Sequence, residues 1–234
     1  MLTRDPVLWL LAFSAAATVL LLLERRAKSR LHALDAWAQQ HNLRCEREVQ
    51  IAALAPLEPL AIVPEVVSIQ RGISGQLHLL GQVLSTWLIA VQAGNRHRPR
   101  SYLIGIFPAP AETPALRVLP EGDIDAPTNL GYVPMPASAL PSGYRAEAFT
   151  PLLRTVTEAL AEVLKDAGRD LRVELRSGRI LLATPVWSAD KPEQIITLGA
   201  RLTALLYQVL ATPPSAEPEE PACEAKGRGG CGCN

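Results

Sequence analysis

The sequence predicts an α+β protein: an N-terminal transmembrane helix followed by one antiparallel-sheet domain with two long packing helices. Three observations carry this. Val7 to Leu23, VLWLLAFSAAATVLLLL, is a seventeen-residue run without a charge. The middle of the chain alternates short apolar runs with Gly- and Pro-rich breaks, the pattern of hairpins. Two later stretches repeat apolar residues at three- and four-residue spacing, the pattern of amphipathic helices.

The apolar run comes first. Seventeen helical residues rise roughly 26 Å, near the ~30 Å hydrocarbon core of a bilayer. Pro6 suits a first helical turn, where its missing N–H costs nothing. Trp9 lies where an interfacial ring belongs. Ser14 to Ala17 imitates a signal-peptide cleavage site, but Thr18 to Leu23 continues the apolar core past it. A soluble helix would carry a polar face, and this one carries none. Arg25, Arg26, Lys28 and Arg30 follow, opposed by Glu24 alone. By the positive-inside rule, the short N-terminus (1–6) faces out and residues 24–234 face the cytoplasm, at the plasma (inner) membrane. The same four cations are expected to touch anionic lipid headgroups, which makes the bilayer a partner.

Residues 24–42 continue as a juxtamembrane amphipathic helix with Leu31, Leu34, Trp37 and Ala38 on one stripe and Asn42 as its stop. Residues 43–211 read as a single α+β domain. Leu43 to Arg47 suits a short strand. Residues 55 to 75, with Pro56, Pro59, Pro64, Gly72 and Gly75, read as a winding connection holding one extended piece at Val66 to Gln70. Leu77 to Leu80 and Thr86 to Gln92 are strand-like, and Tyr102 to Phe107 runs back after the turn at 94–100. Trp87, Ile89 and Val91 share one face with Tyr102, Ile104 and Ile106. Leu88, Ala90, Leu103 and Phe107 make the other face apolar too, so helices or a second sheet should cover both.

Ala115 to Leu119 and Tyr144 to Ala148 are further short strands around a Pro-rich stretch. Thr150-Pro151 opens a helix as cap and first residue, with Leu152, Leu153, Val156, Leu160, Val163 and Leu164 as its stripe. Leu171 to Leu175 and Ile180 to Ala183 form a hairpin about Ser177-Gly178. The last helix opens at Asp190 and carries Ile195, Ile196, Leu198, Leu202, Leu205, Leu206 and Val209. Residues 212–234 form a Cys/Gly-rich tail too polar to fold alone.

This order of elements, with Trp37 after the anchor and the stretch Leu116-Arg117-Val118-Leu119-Pro120-Glu121, resembles a group of small bacterial single-pass membrane proteins of unknown function. The resemblance covers most of residues 31–210. The chain departs from the group at Leu84 to Val91, which lacks an aromatic-rich strand. The resemblance implies a cytoplasmic α+β domain and carries over no catalytic residues.

Charge excludes one class of partner. Lys+Arg and Asp+Glu are both 23, so no basic field points to nucleic acid. Four cysteines on a cytoplasmic domain are expected to stay reduced. Cys223, Cys231 and Cys233 lie on the tail. Two thiols separated by one glycine can close on a soft ion such as Cu(I) or Zn(II), although a structural zinc site takes four ligands. Gly227, Gly229 and Gly232 match a dinucleotide fingerprint without its strand or helix. Arg96, His97, Arg98 and Arg100 crowd one hairpin tip, as a solvated turn or a phosphate contact. His41 and Cys45 have a metal-pair spacing, but with His32 and His78 they read as surface or core groups. Asp123-x-Asp125 and Glu158/Glu162 are carboxylate pairs without a ligand pattern, the second facing solvent. No nucleophile elbow, zinc-protease, CxxC or P-loop motif occurs.

The expectation is therefore a membrane-anchored, non-enzymatic binding or scaffold protein with an unidentified protein partner and no cofactor. The alternative is a metal-binding or thiol-redox protein acting through the tail cysteines.

Overall fold

A computed structural model describes residues 6–47, 49–50, 60–79, 81–95, 99–123, 125–127, 130–136, 139–149, 154–176, 178–185, 188 and 190–211. In chain order the elements are α1 (Pro6–Gln40), β1 (Arg44–Glu46), β2 (Val66–Leu79), β3 (Gln82–Ala93), β4 (Arg100–Pro108), β5 (Leu116–Pro120), β6 (Val133–Met135), β7 (Tyr144–Ala148), α2 (Arg154–Lys165), β8 (Arg172–Arg176), β9 (Arg179–Thr184) and α3 (Lys191–Ala211). The strands form one nine-stranded sheet in the order β1-β2-β3-β4-β9-β8-β5-β7-β6. Every pairing in it is antiparallel.

This corrects the predicted architecture. Among the described residues, no helix is long and apolar enough to cross a membrane. Helix α1 is one helix of 35 residues that carries Glu24, Arg25, Arg26 and Lys28 in its middle and packs Leu34 and Trp37 against the sheet. The transmembrane helix, the single-pass topology with its outside N-terminus, and the inner-membrane location that depended on them are overturned. The fold is organised instead by one large sheet, with three helices beside it.

The sheet buries both faces by different means. On one face, Leu88, Leu103, Phe107, Leu116, Val173 and Leu182 pack against Leu34 and Trp37 of α1, Leu160 and Val163 of α2, and Ile195, Leu202 and Leu206 of α3. On the other face, Ile89, Val91, Tyr102, Ile104, Leu119 and Leu181 pack against Leu60, Ile62, Val63 and Ala126. So the two-sided apolar strands are covered by helices on one side and by irregular chain on the other, where helices or a second sheet were expected. Of the predicted stripes, Val156, Leu160, Val163 and Leu164 of α2 and Ile195, Ile196, Leu198, Leu202 and Leu206 of α3 are buried, while Leu205 and Val209 are half-buried. The predicted opening of α2 at Thr150 to Leu153 lies outside the described residues.

Helix α1 stops as Asn42 predicts. Asn42 takes φ 53°, and the Leu43 amide reaches back to the Ala38 carbonyl at 2.8 Å, closing the helix through a left-handed residue. The winding connection is corrected at its second half: Val66 to Leu79 is one strand of 14 residues. Its glycines serve close approach rather than turning. A Cβ at Gly72 would lie 2.7 Å from Val49 Cγ2, and one at Gly75 would lie 2.6 Å from Leu43 Cδ2.

Candidate binding surfaces

The second face of the sheet carries a buried charge lattice. Strand parity places Arg172 and Glu174 of β8, Arg117 of β5 and Glu147 of β7 on that face. Arg117 is the register partner of both Glu174 and Glu147. All four residues are buried. Arg117 Nε donates to Glu147 Oε2 at 2.8 Å, and its Nη1 donates to the carbonyls of Ala61 at 2.9 Å and Pro127 at 2.6 Å. Arg172 Nη1 donates to the Ile62 carbonyl at 2.9 Å and Nη2 to Asp123 Oδ1 at 2.8 Å. Glu174 Oε2 accepts the Ala61 amide at 2.8 Å, and Oε1 faces Arg176. Arg145 adds a pair to Glu147 at 3.0 Å.

Two aromatic rings complete the lattice. The Arg172 guanidinium lies 5.0 Å from the Tyr102 ring centroid, and that of Arg117 lies 4.9 Å from Tyr132. Burial pushes the Glu174 carboxyl above its ordinary range, with Arg176 and the Ala61 amide opposing the shift. Burial also raises both tyrosines. Each carboxylate of the lattice is engaged by a cation or an amide, and its two central guanidiniums are committed to carbonyls. Such an arrangement binds Ala61, Ile62, Asp123 and Pro127 to the sheet.

The predicted site residues fall elsewhere. Arg25, Arg26 and Lys28 are exposed in the middle of α1 and Arg30 is half-buried; Lys28 pairs with Glu24 at 2.7 Å, one turn away. Cys223, Cys231 and Cys233 lie outside the described residues, as do Arg96, His97 and Arg98. Among the described residues no group of three His, Cys, Asp or Glu side chains is placed to hold a metal ion. Arg100 instead pairs with Asp125. His41 and Cys45 do not converge. His41 Nδ1 lies 2.9 Å from the Trp37 carbonyl with its ring on the Trp37 ring. The Cys45 thiol donates to Asp35 Oδ1 at 3.2 Å, and Asp35 is held by Arg71 at 3.0 Å. Burial, then the Asp35 contact, raises the Cys45 thiol. Glu158 and Glu162 face solvent as expected.

The lattice is not among the constellations expected from the sequence, where Asp123 and Asp125 form a carboxylate pair without a ligand pattern; the structure pairs Asp123 with Arg172. A signal was available: YRAEA and RVELR carry charges at alternate positions and LRVLP carries one arginine between apolar residues, with Arg117 opposite Glu147 and Glu174.

Open surfaces occur among the described residues on α1 and at one end of the sheet. On α1, Trp9 is 63%, Leu10 71%, Phe13 70% and Leu20 67% exposed. At one end of the sheet, an open groove of about 290 Å³ lies between β3 and the end of β4, with Trp87, Ile106 and Arg179 on its walls.

No protein-family model matches the chain, and no curated protein matches it. Among solved structures it is similar to the crystal structure of the mycobacterial trehalose monomycolate transport factor A, TtfA. The TM-score is 0.47 at 13% identity, over 78% of this chain and 95% of that one.

Proposed function

We propose that this chain is a non-enzymatic binding protein whose sheet domain carries an apolar helical arm that a protein partner encloses. The observation that carries the reading is the state of α1 between Trp9 and Leu22: every described side chain there is exposed. A helix apolar all round is stable when it is enclosed, because water solvates neither side of it favourably. Its few polar groups need no partner. Ser14 Oγ donates to the Leu11 carbonyl at 3.0 Å and Thr18 Oγ1 to the Ser14 carbonyl at 2.8 Å. Shape adds to this. Ser14 to Thr18 are five small side chains between bulkier groups at Trp9 to Phe13 and Val19 to Leu22. Such a waist lets a second helix approach closely.

Sedimentation of the full chain in detergent-free buffer tests the reading. The chain should sediment above the mass of one copy, or in a fixed ratio with a bound protein. Leu10→Ser, Phe13→Ser and Leu20→Ser together should return it to a single copy. A wild-type chain that sediments as a single copy with no bound protein would overturn the proposal.

A further inference from the structure

The groove at the end of β4 opens where two neighbouring strands part. On this side β3 and β4 meet as far as Trp87↔Ile106. The chain of β4 then follows β9, through Phe107↔Ile180 and a 3.0 Å bond from the Ala109 amide to the Gly178 carbonyl. The space between the two strands is about 290 Å³, and its walls include Thr86, Trp87, Ile106, Phe107 and Pro108. Trp87 is half-buried, so an aromatic ring and apolar side chains line an open groove.

Helix α3 leads the chain to this place. Its contacts advance along β4 in step with the strand. A Cβ at Gly105 would lie 2.5 Å from Ile195 Cγ2, and one at Gly199 would enter the Phe107 ring. Thr203 Oγ1 donates to the Pro108 carbonyl at 3.1 Å. So α3 runs in the direction of β4 and reaches the groove wall at Thr203. Its last residue, Ala211, lies eight residues further, about 12 Å.

Residues 212–221, TPPSAEPEEP, come next, and four of these ten are proline. Such a segment favours polyproline II, at ~3.1 Å per residue and three residues per turn. Ten residues cover about 31 Å. About 12 Å returns the chain to Pro108, and the remaining ~19 Å is about six residues, 216–221. These hold Pro218 and Pro221, three apart and therefore on one edge.

We propose that the groove takes the chain's own segment 216–221 in a polyproline II conformation, with Pro218 and Pro221 against Trp87. Aromatic-lined grooves receive proline-rich segments, which lose little entropy because they start near the bound conformation. Strand addition does not suit this segment, since proline donates no N–H to a ladder. The tether strengthens the contact. A short connection gives an effective concentration of about 1 mM, so a groove that held the free peptide at a Kd of about 0.1 mM would be about nine-tenths filled by the attached segment.

The full chain carrying 5-fluorotryptophan, read by fluorine NMR, tests this. The Trp87 resonance is assigned by Trp87→Phe. Pro218→Ser with Pro221→Ser should move that resonance and leave the one from buried Trp37 in place. The free peptide TPPSAEPEEP, added to the serine variant, should return the Trp87 resonance toward its wild-type position, with half the effect at about 0.1–1 mM. The same peptide with both prolines replaced by serine should not. Wild type, with its groove filled, should need roughly tenfold more peptide for any response. A Trp87 resonance unmoved by the serine substitutions would overturn the proposal. So would equal responses of wild type and variant, or no saturable response of the variant. A wild-type Trp87 resonance that moves with chain concentration would give the groove to a second copy and overturn it as well.

Discussion

Replacing Arg117 with Met tests whether the buried lattice holds the second face together. Met fills a similar volume and donates nothing. The Arg117 side chain is 6% exposed and its partner Glu147 11%. The substitution leaves Glu147 with Arg145, which is 40% exposed, and deprives the Ala61 and Pro127 carbonyls of their donor. Removing one member of a buried pair costs about 3–5 kcal/mol, because the remaining charge stays desolvated. A domain's whole stability is about 5–15 kcal/mol, so the variant forfeits a large part of it. Urea unfolding of the full chain, followed by tryptophan fluorescence, reads the loss. At a slope of roughly 2 kcal/mol per M, the midpoint falls by about 2 M. A second arm separates charge from packing. Glu147→Leu added to Arg117→Met removes the stranded carboxylate and should recover about half the loss. A single-variant cost below about 1 kcal/mol, or no recovery in the double variant, refutes the reasoning.

Two further outcomes follow from geometry. Tyr144 donates to the Gly168 carbonyl at 2.8 Å, and burial pushes its hydroxyl from 10.0 up to about 12. The raised folded value means that the unfolded chain ionises first, so stability is full below pH 10 and falls as pH rises toward 12. Tyr144→Phe should cost about 1 kcal/mol near neutrality and flatten that alkaline fall in urea midpoints; an unchanged slope counts against it. At Gly199 of α3, an added Cβ would lie 2.3 Å from the Phe107 ring. Gly199→Ala gains about 1 kcal/mol of helix propensity but overpacks the α3–β4 contact by about 1–3 kcal/mol. The melting temperature should drop, and an unchanged or higher one would mean that the ring yields freely.

The sequence reading succeeds where the signal is local. Trp87, Ile89 and Val91 fall opposite Ile106, Ile104 and Tyr102 in the register, because a period of two fixes which side chains share a face. The same holds for the buried stripes of α2 and α3, where a period of 3.6 does the work. It fails where the deciding partner is distant in the chain. Gly72 and Gly75 look like turn residues until Val49 and Leu43 arrive against them. Insertion of β9 and β8 between β4 and β5 leaves no local trace at all. The Val7 to Leu23 run misleads for a different reason: it points to an anchor, whereas among the described residues no helix is long and apolar enough to cross a membrane, and the fold is ordered around the sheet.

The buried charges and the irregular cover of the second face have one cause. The three helices among the described residues lie on the same face of the sheet, so the opposite face is covered by residues 60–63 and by Asp123 and residues 125–127. A helix satisfies its own backbone, but an irregular segment laid on apolar strands does not, and a buried unpaired amide or carbonyl costs ~1–3 kcal/mol. The strands underneath must therefore supply the missing donors and acceptors. Only long polar side chains at alternate strand positions reach that far. Arg117 and Arg172 give N–H groups to the carbonyls of Ala61, Ile62 and Pro127, and Glu174 takes the Ala61 amide. Once guanidiniums are buried for that purpose they need counter-charges, and Glu147 and Asp123 provide them. On this argument the charged positions of β5, β7 and β8 are the hydrogen-bonding complement of the covering loops, and they depend on those loops as much as the loops depend on them.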